Sequence, residues 1–273
     1  DYALAARLAG DIIAHSCHGV VVAGTTGEAA TLTVEEKLEL FARVKEEVGD
    51  RGQVIAGVGS NCTRTTVDLI RQAEAIPLDG YMLITPYYNK PSQEGLYQHF
   101  KAIASETKLP VILYNVPGRT SCNLMPDTVA RLAEIENIVA VKEASGNLDQ
   151  VAEIRRKTPP DFLIYSGDDS LTLPMLSVGG HGIISVASHV AGKMIKRMIE
   201  AYVAGDVETA RELHLKLFPL FKVIFITTNP VPIKAAVELI GIKAGPPRLP
   251  LVKATVQEID AVRKVMEDLN IIA

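Results

Sequence analysis

Apolar positions along the chain follow two alternating patterns. Short runs rich in Val, Ile and Ala, nearly free of charge until their last residues, read "GVVVAG" from Gly19, "QVIAGVG" from Gln53, "GYMLITP" from Gly80, "PVILYNVP" from Pro110, "IVAVKEAS" from Ile138, "FLIYSGDD" from Phe162 and "GIISVAS" from Gly182. Each passes through a turn, usually bearing Gly or Pro, into a segment whose apolar residues recur every three or four positions. The first kind predicts strands and the second helices. "TVEEKLELFARVKEEV" carries a Thr33-x-x-Glu36 capping box, and "SQEGLYQHFKAIASET" opens at Ser92. Strands apolar throughout, alternating with helices, predict a parallel sheet covered on its helical side.

Two α/β architectures fit that alternation. A doubly wound nucleotide binder places a G-x-G-x-x-G turn after its first strand, and "AGTTGE" lacks that spacing. A (β/α)8 TIM barrel needs eight strands and about 250 residues, with its reactive groups at the C-terminal ends of several strands. Those ends carry Thr25 and Thr26, Tyr87 and Tyr88, Tyr114 and Arg119, Lys142, and Gly167 and Asp168. The barrel is therefore the expected fold, one strand short, because the chain opens at Asp1 on the helical "DYALAARLAGDIIAH". Helical segments near 190–204, 206–225 and 230–273, broken at Pro230, Pro232 and Pro250, predict a C-terminal helical extension. The expected division is a barrel catalytic domain over 1–205 and a C-terminal helical domain over 206–273, the latter a common place for oligomer contacts.

Composition removes several function classes. With 273 residues, 48% of them hydrophobic, the chain can bury a large core. A net charge of −4 with interspersed signs offers no basic face for nucleic acid or an anionic membrane. Cys17, Cys62 and Cys122 are odd in number and form no C-x-x-C pair, which argues against a disulfide framework or a thiolate zinc site and favours a reducing cytoplasm. No apolar stretch approaches the ~20 residues that span a bilayer, and no basic leader is visible. His15 and His18, three apart on an expected helix, lack a third ligand at suitable spacing, so no metal is expected. "VGGHG" reads as a tight turn before the last strand and not as a phosphate loop.

Lys142 poses the chemical question. An ammonium after a buried strand costs several kcal/mol unless paired. Its amine either escapes along its stem to the surface or to a carboxylate such as Glu143, or is held half-desolvated because chemistry needs it neutral. "GTTGEAATLT" could hold a carboxylate or phosphate on hydroxyls and backbone N–H groups, or be an ordinary turn. The phenols of "TPYYN" could simply pack, and Arg119 of "LYNVPGRT" could clamp a carboxylate or pair with a surface acid. A lysine, two phenols, two hydroxyls and an arginine at successive strand ends together point to Schiff-base chemistry.

"GTTGEAATLT", "TPYYNKPSQEGLYQHF", "LYNVPGRT", "VKEASGN", "YSGDD" and "GGHGIISV" together closely resemble the dihydrodipicolinate synthase branch of the N-acetylneuraminate lyase family of class I aldolases, over essentially the whole chain. The resemblance implies a (β/α)8 barrel with a C-terminal helical domain, a homotetramer built as a dimer of tight dimers, and condensation of pyruvate with L-aspartate 4-semialdehyde on the route to diaminopimelate and lysine. It implies Lys142 as nucleophile, and Thr25, Tyr114 and Tyr88 as a proton relay, with Tyr88 reaching into the partner subunit's site. Thr26 would hold the pyruvate carboxylate and Arg119 that of the semialdehyde, while the Ile184 main-chain carbonyl and Gly167 line the pocket. Lys142 is its own electron sink, so no cofactor or metal is implied.

The resemblance also implies one more strand ahead of Asp1, which would be the eighth. In lysine-inhibited relatives a regulatory pocket uses His, Glu, Asn and Tyr; Asn61 and Tyr87 match, but Lys37 and Thr65 replace the histidine and glutamate, so lysine is expected to inhibit weakly or not at all. A sialic-acid lyase or keto-deoxy sugar acid aldolase would keep Lys142 and Tyr114 but not the Arg119 and "PYYN" combination. A catalytically idle binding paralogue would lose Lys142, Tyr114 or Thr25, all of which are present.

Overall fold

The computed structural model describes all 273 residues. The strands are β1 (Gly19–Val22), β2 (Gln53–Gly57), β3 (Gly80–Ile84), β4 (Val111–Asn115), β5 (Ile138–Glu143), β6 (Leu163–Ser166) and β7 (Gly182–Ile183). Their order in the sheet is their order in the chain, and each successive pair from β2–β3 to β6–β7 is parallel. Sequential parallel order without a reversal is the topology expected of an α/β barrel and excludes the doubly wound alternative.

The chain divides into two compact units, Asp1–Gln53 with Ser185–Ala273, and Val54–Ile184. In the first, the helix Tyr2–His15 is capped by the Asp1 carboxylate, which accepts from Leu4 N. The helix Val34–Val48 has the expected capping box: Thr33 Oγ1 accepts from Glu36 N, and Glu36 accepts from Thr33 N. The C-terminal helices run Ser188–Val203, Val207–Val223, Val231–Leu239 and Val256–Asp268. Phe41, Val44, Val48, Leu217, Phe221 and Met266 are among the residues buried in this unit. The expectation that His15 and His18 share a helix is corrected here. The helix ends at His15, and His18 leads into β1, its carbonyl accepting from Gln53 N at the start of β2.

In the second unit most strand residues are buried and none is exposed, as continuous apolar runs require. The helices Thr63–Ala73, Gln93–Ala104, Pro126–Leu132, Leu148–Lys157 and Thr172–Ser177 follow their strands. Ser92 caps the second of these by accepting from Gly95 N. "VGGHG" is a tight turn: Gly179 adopts φ +95°, and Gly180 N donates to Met175 O. β7 is shorter than its apolar run suggests. Ile184 N still donates to Ser166 O, but within the first unit Ser185 Oγ accepts from Ser188 N, so the chain is already turning into its next helix. No helix is long and apolar enough to cross a membrane.

Candidate active site

Strand alternation decides what faces what at the ends of β4 and β5. Tyr114 is in register with Lys142, and Asn115 with Glu143. Successive side chains leave a strand on opposite faces, so Lys142 and Tyr114 share one face while Asn115 and Glu143 share the other. Glu143 is therefore not the partner of the Lys142 amine. Its carboxylate accepts instead from Asn115, Ser145 and Gln150.

The Lys142 Nζ stands 4.4 Å from the centroid of the Tyr114 ring, a buried phenol. Loss of hydration lowers the amine's pKa from 10.5 to about 8; the Asp169 carboxylate pulls it upward and the Arg119 guanidinium pushes it further down. Gly167 lets the lysine stem pass. A Cβ there would lie 3.1 Å from Lys142 Cε and 2.8 Å from the Ala144 Cβ, and the backbone is held close by Gly167 N donating to Glu143 O at 2.8 Å. Arg119 lies exposed on the short helix Pro117–Thr120, which follows β4 directly. This half-desolvated amine, beside a phenol and near a guanidinium, is equipped to attack a carbonyl bearing an anionic group.

Other predicted residues occupy different settings. Ile184 is tied to the end of β6 by its N–H. Asp168 caps the turn after β6, its Oδ1 accepting from Ser170 N and Oγ. Tyr88 is 90% exposed, with φ +76°, and Tyr87 beside it is also exposed. In the first unit, the turn after β1 closes through Glu28 N donating to Thr25 O and Ala29 N to Gly24 O. Thr26 Oγ1 accepts from the amide of buried Asn229 at 3.0 Å. Glu28, at φ +57°, accepts from Lys234 Nζ and from Arg248 N, both at 2.7 Å.

Residues 1–269 match the sequence profile of the Dihydrodipicolinate synthetase family. The chain belongs to this family. Its relatives include the 4-hydroxy-tetrahydrodipicolinate synthase of Moorella thermoacetica, 58% identical over 98% of this chain and 92% of that protein. That of Desulforudis audaxviator is 55% identical over 98% and 92%. Among solved structures, DHDPS from Cyanidioschyzon merolae with lysine bound superposes with a TM-score of 0.98 at 47% identity, covering 100% of this chain and 93% of that one. The family fold is a parallel α/β barrel with a C-terminal helical extension, as the strand pattern and the resemblance led us to expect.

Within each unit, sequence reasoning missed residues that bond to or neighbour the predicted ones. Asn229 was visible only as the residue before the helix-breaking Pro230, and Asn115, Asn123 and Gln150 carry no periodicity signal at all. Asp169 was overlooked beside Asp168, although it is almost fully buried and raises the Lys142 pKa.

Proposed function

We propose that this enzyme condenses pyruvate with L-aspartate 4-semialdehyde, through an imine on Lys142, to give 4-hydroxy-tetrahydrodipicolinate for diaminopimelate and lysine synthesis in the cytoplasm. The observation that carries the reading is the Lys142 amine, desolvated and poised near neutrality beside the Tyr114 phenol. The neutral amine attacks the pyruvate ketone carbon, and the resulting carbinolamine loses hydroxide. That step needs a proton delivered in place, the role assigned to Tyr114 with Thr25 and with Tyr88 of a neighbouring subunit. Loss of a methyl proton from the imine gives an enamine, whose carbon attacks the aldehyde. The semialdehyde's own amine then displaces Lys142 as the ring closes, so that one water is lost overall. Thr26 and backbone N–H groups of its turn are assigned to the pyruvate carboxylate, and Arg119 to that of the semialdehyde, a charge-assisted fork. Gly167 and the Ile184 carbonyl line the pocket. Residues 1–205 supply the chemistry and 206–273 the extension, in a homotetramer.

Borohydride reduction with pyruvate present tests this. One adduct per chain, mapped by mass spectrometry to Lys142 and absent from Lys142→Ala along with most of the turnover, is the expected result. An adduct on another lysine, or full activity in Lys142→Ala, would overturn the mechanism. Turnover with a keto-deoxy sugar acid but not the semialdehyde would reassign the substrate.

A further inference from the structure

Behind Lys142 and Tyr114, on the opposite face of the same two strands, lies a closed polar network. Asn115 is fully buried and Glu143 is 2% exposed. One Asn115 amide donates to the Glu143 carboxylate at 3.0 and 3.3 Å and to Asn123 Oδ1 at 2.8 Å. Asn115 Oδ1 accepts from Leu124 N. Gln150 Nε2 donates to Glu143 at 3.2 Å and to Asn123 at 3.1 Å, while Gln150 Oε1 accepts from Asn123 Nδ2 at 2.8 Å. Ser145 N completes the carboxylate's shell at 2.6 Å.

The groups on Glu143 are the N–H donors of Asn115, Gln150 and Ser145 together with the Ser145 hydroxyl, and each of these bonds favours the charged form. The shell therefore suits the ionised carboxylate, although burial itself pushes the Glu143 pKa up. The network joins β4, β5, the loop at Asn123 and the helix Leu148–Lys157. Asn115 and Asn123 bracket the segment that carries Arg119. A buried polar cluster with all its partners satisfied fixes one arrangement, because any slip leaves unpaired groups without water.

We propose that Glu143 is a positioning residue for the reaction: its carboxylate, gripped by Asn115, Ser145 and Gln150, locks the β4–β5 register that sets Lys142 against Tyr114 and anchors the Arg119 loop. This rests on the reading of Lys142 as the imine-forming nucleophile. Glu143→Gln keeps the volume but turns an N–H donor toward other donors, which loosens the lock without touching either catalytic side chain.

The test measures the rate of pyruvate-dependent reductive labelling of Lys142, per folded chain, together with kcat and KM. Glu143→Gln should label about tenfold more slowly or worse, the penalty of a small misplacement of reacting groups, with kcat falling in step and the KM for pyruvate little changed. Glu143→Asp, which restores the charge, should recover part of the rate. Leu132→Ala, a core truncation in the same unit, should lose stability yet label at the parent rate. Labelling of Glu143→Gln at the parent rate, with the parent itself labelled on Lys142, would overturn this inference alone. A parent that does not label would overturn the nucleophile assignment and this inference with it. Should Glu143→Gln fail to fold, Asn123→Ala, at a half-buried network position, decides: slower labelling supports the lock and an unchanged rate removes it.

Discussion

At the scale of single residues, the position of Lys142 makes a titration the most direct prediction. An amine of ordinary pKa is almost wholly protonated at neutral pH, whereas one lowered to about 8 leaves roughly a tenth neutral at pH 7. Only the neutral form attacks the ketone. The folded-state pKa lies below the usual lysine value, so the reactive fraction should rise as pH climbs through about 8 and level off above it. Labelling rates at saturating pyruvate across pH 6 to 10, on the order of the range spanned by these pKa values, check this. A rate still climbing steeply above pH 9.5, about where an unperturbed lysine would remain mostly protonated, would show that burial does not tune this amine.

At the scale of elements, the close approach of β5 and β6 is the constraint most open to test. Gly167 follows β6, and its missing side chain leaves the space through which Lys142 passes. Gly167→Ala would bring a methyl to 2.8 Å from the Ala144 Cβ and 3.3 Å from Lys142 Cγ, contacts that force one strand end to move. Overpacking of this kind costs about 1–3 kcal/mol. The expected outcome is a lowered Tm together with slower labelling of Lys142, read by calorimetry and by the same reductive trap. An unchanged Tm and rate would mean that the strand ends yield freely.

The same scale explains what the sequence could and could not tell. Strands buried on both faces leave unbroken apolar runs, so Val111–Asn115 and Ile138–Glu143 stand out. Capping residues act within three positions, so Thr33 with Glu36 and Ser92 were readable. β7 was overestimated because an apolar run does not reveal that Ser185 will bond to Ser188 and begin a helix. The support of the site was hidden for another reason. Glu143 is adjacent to Lys142 in sequence and looked available to it, but strand alternation sends it to the other face, where its partners lie 28 and 7 residues away.

At the scale of the whole molecule, Tyr88 asks for a partner. An aromatic side chain 90% exposed, on a backbone at φ +76° that side-chain-bearing residues rarely adopt, keeps a strained geometry with no packing of its own to repay it. In the proposed tight dimer this side chain enters the neighbouring subunit's site and completes the proton relay. The consequence is a complementation experiment. Lys142→Ala and Tyr88→Phe chains are each expected to be nearly inactive alone. In a mixed dimer, the site on the Tyr88→Phe chain keeps its own Lys142 and receives Tyr88 from the other chain, so one site is whole and the second lacks both. Random pairing makes about half of the dimers mixed, with one good site in two, so co-expression should recover roughly a quarter of the parent activity. Native mass spectrometry establishes that mixed dimers are present. Mixed dimers without recovered activity would place the action of Tyr88 within its own chain, and full activity of Tyr88→Phe alone would remove it from the relay.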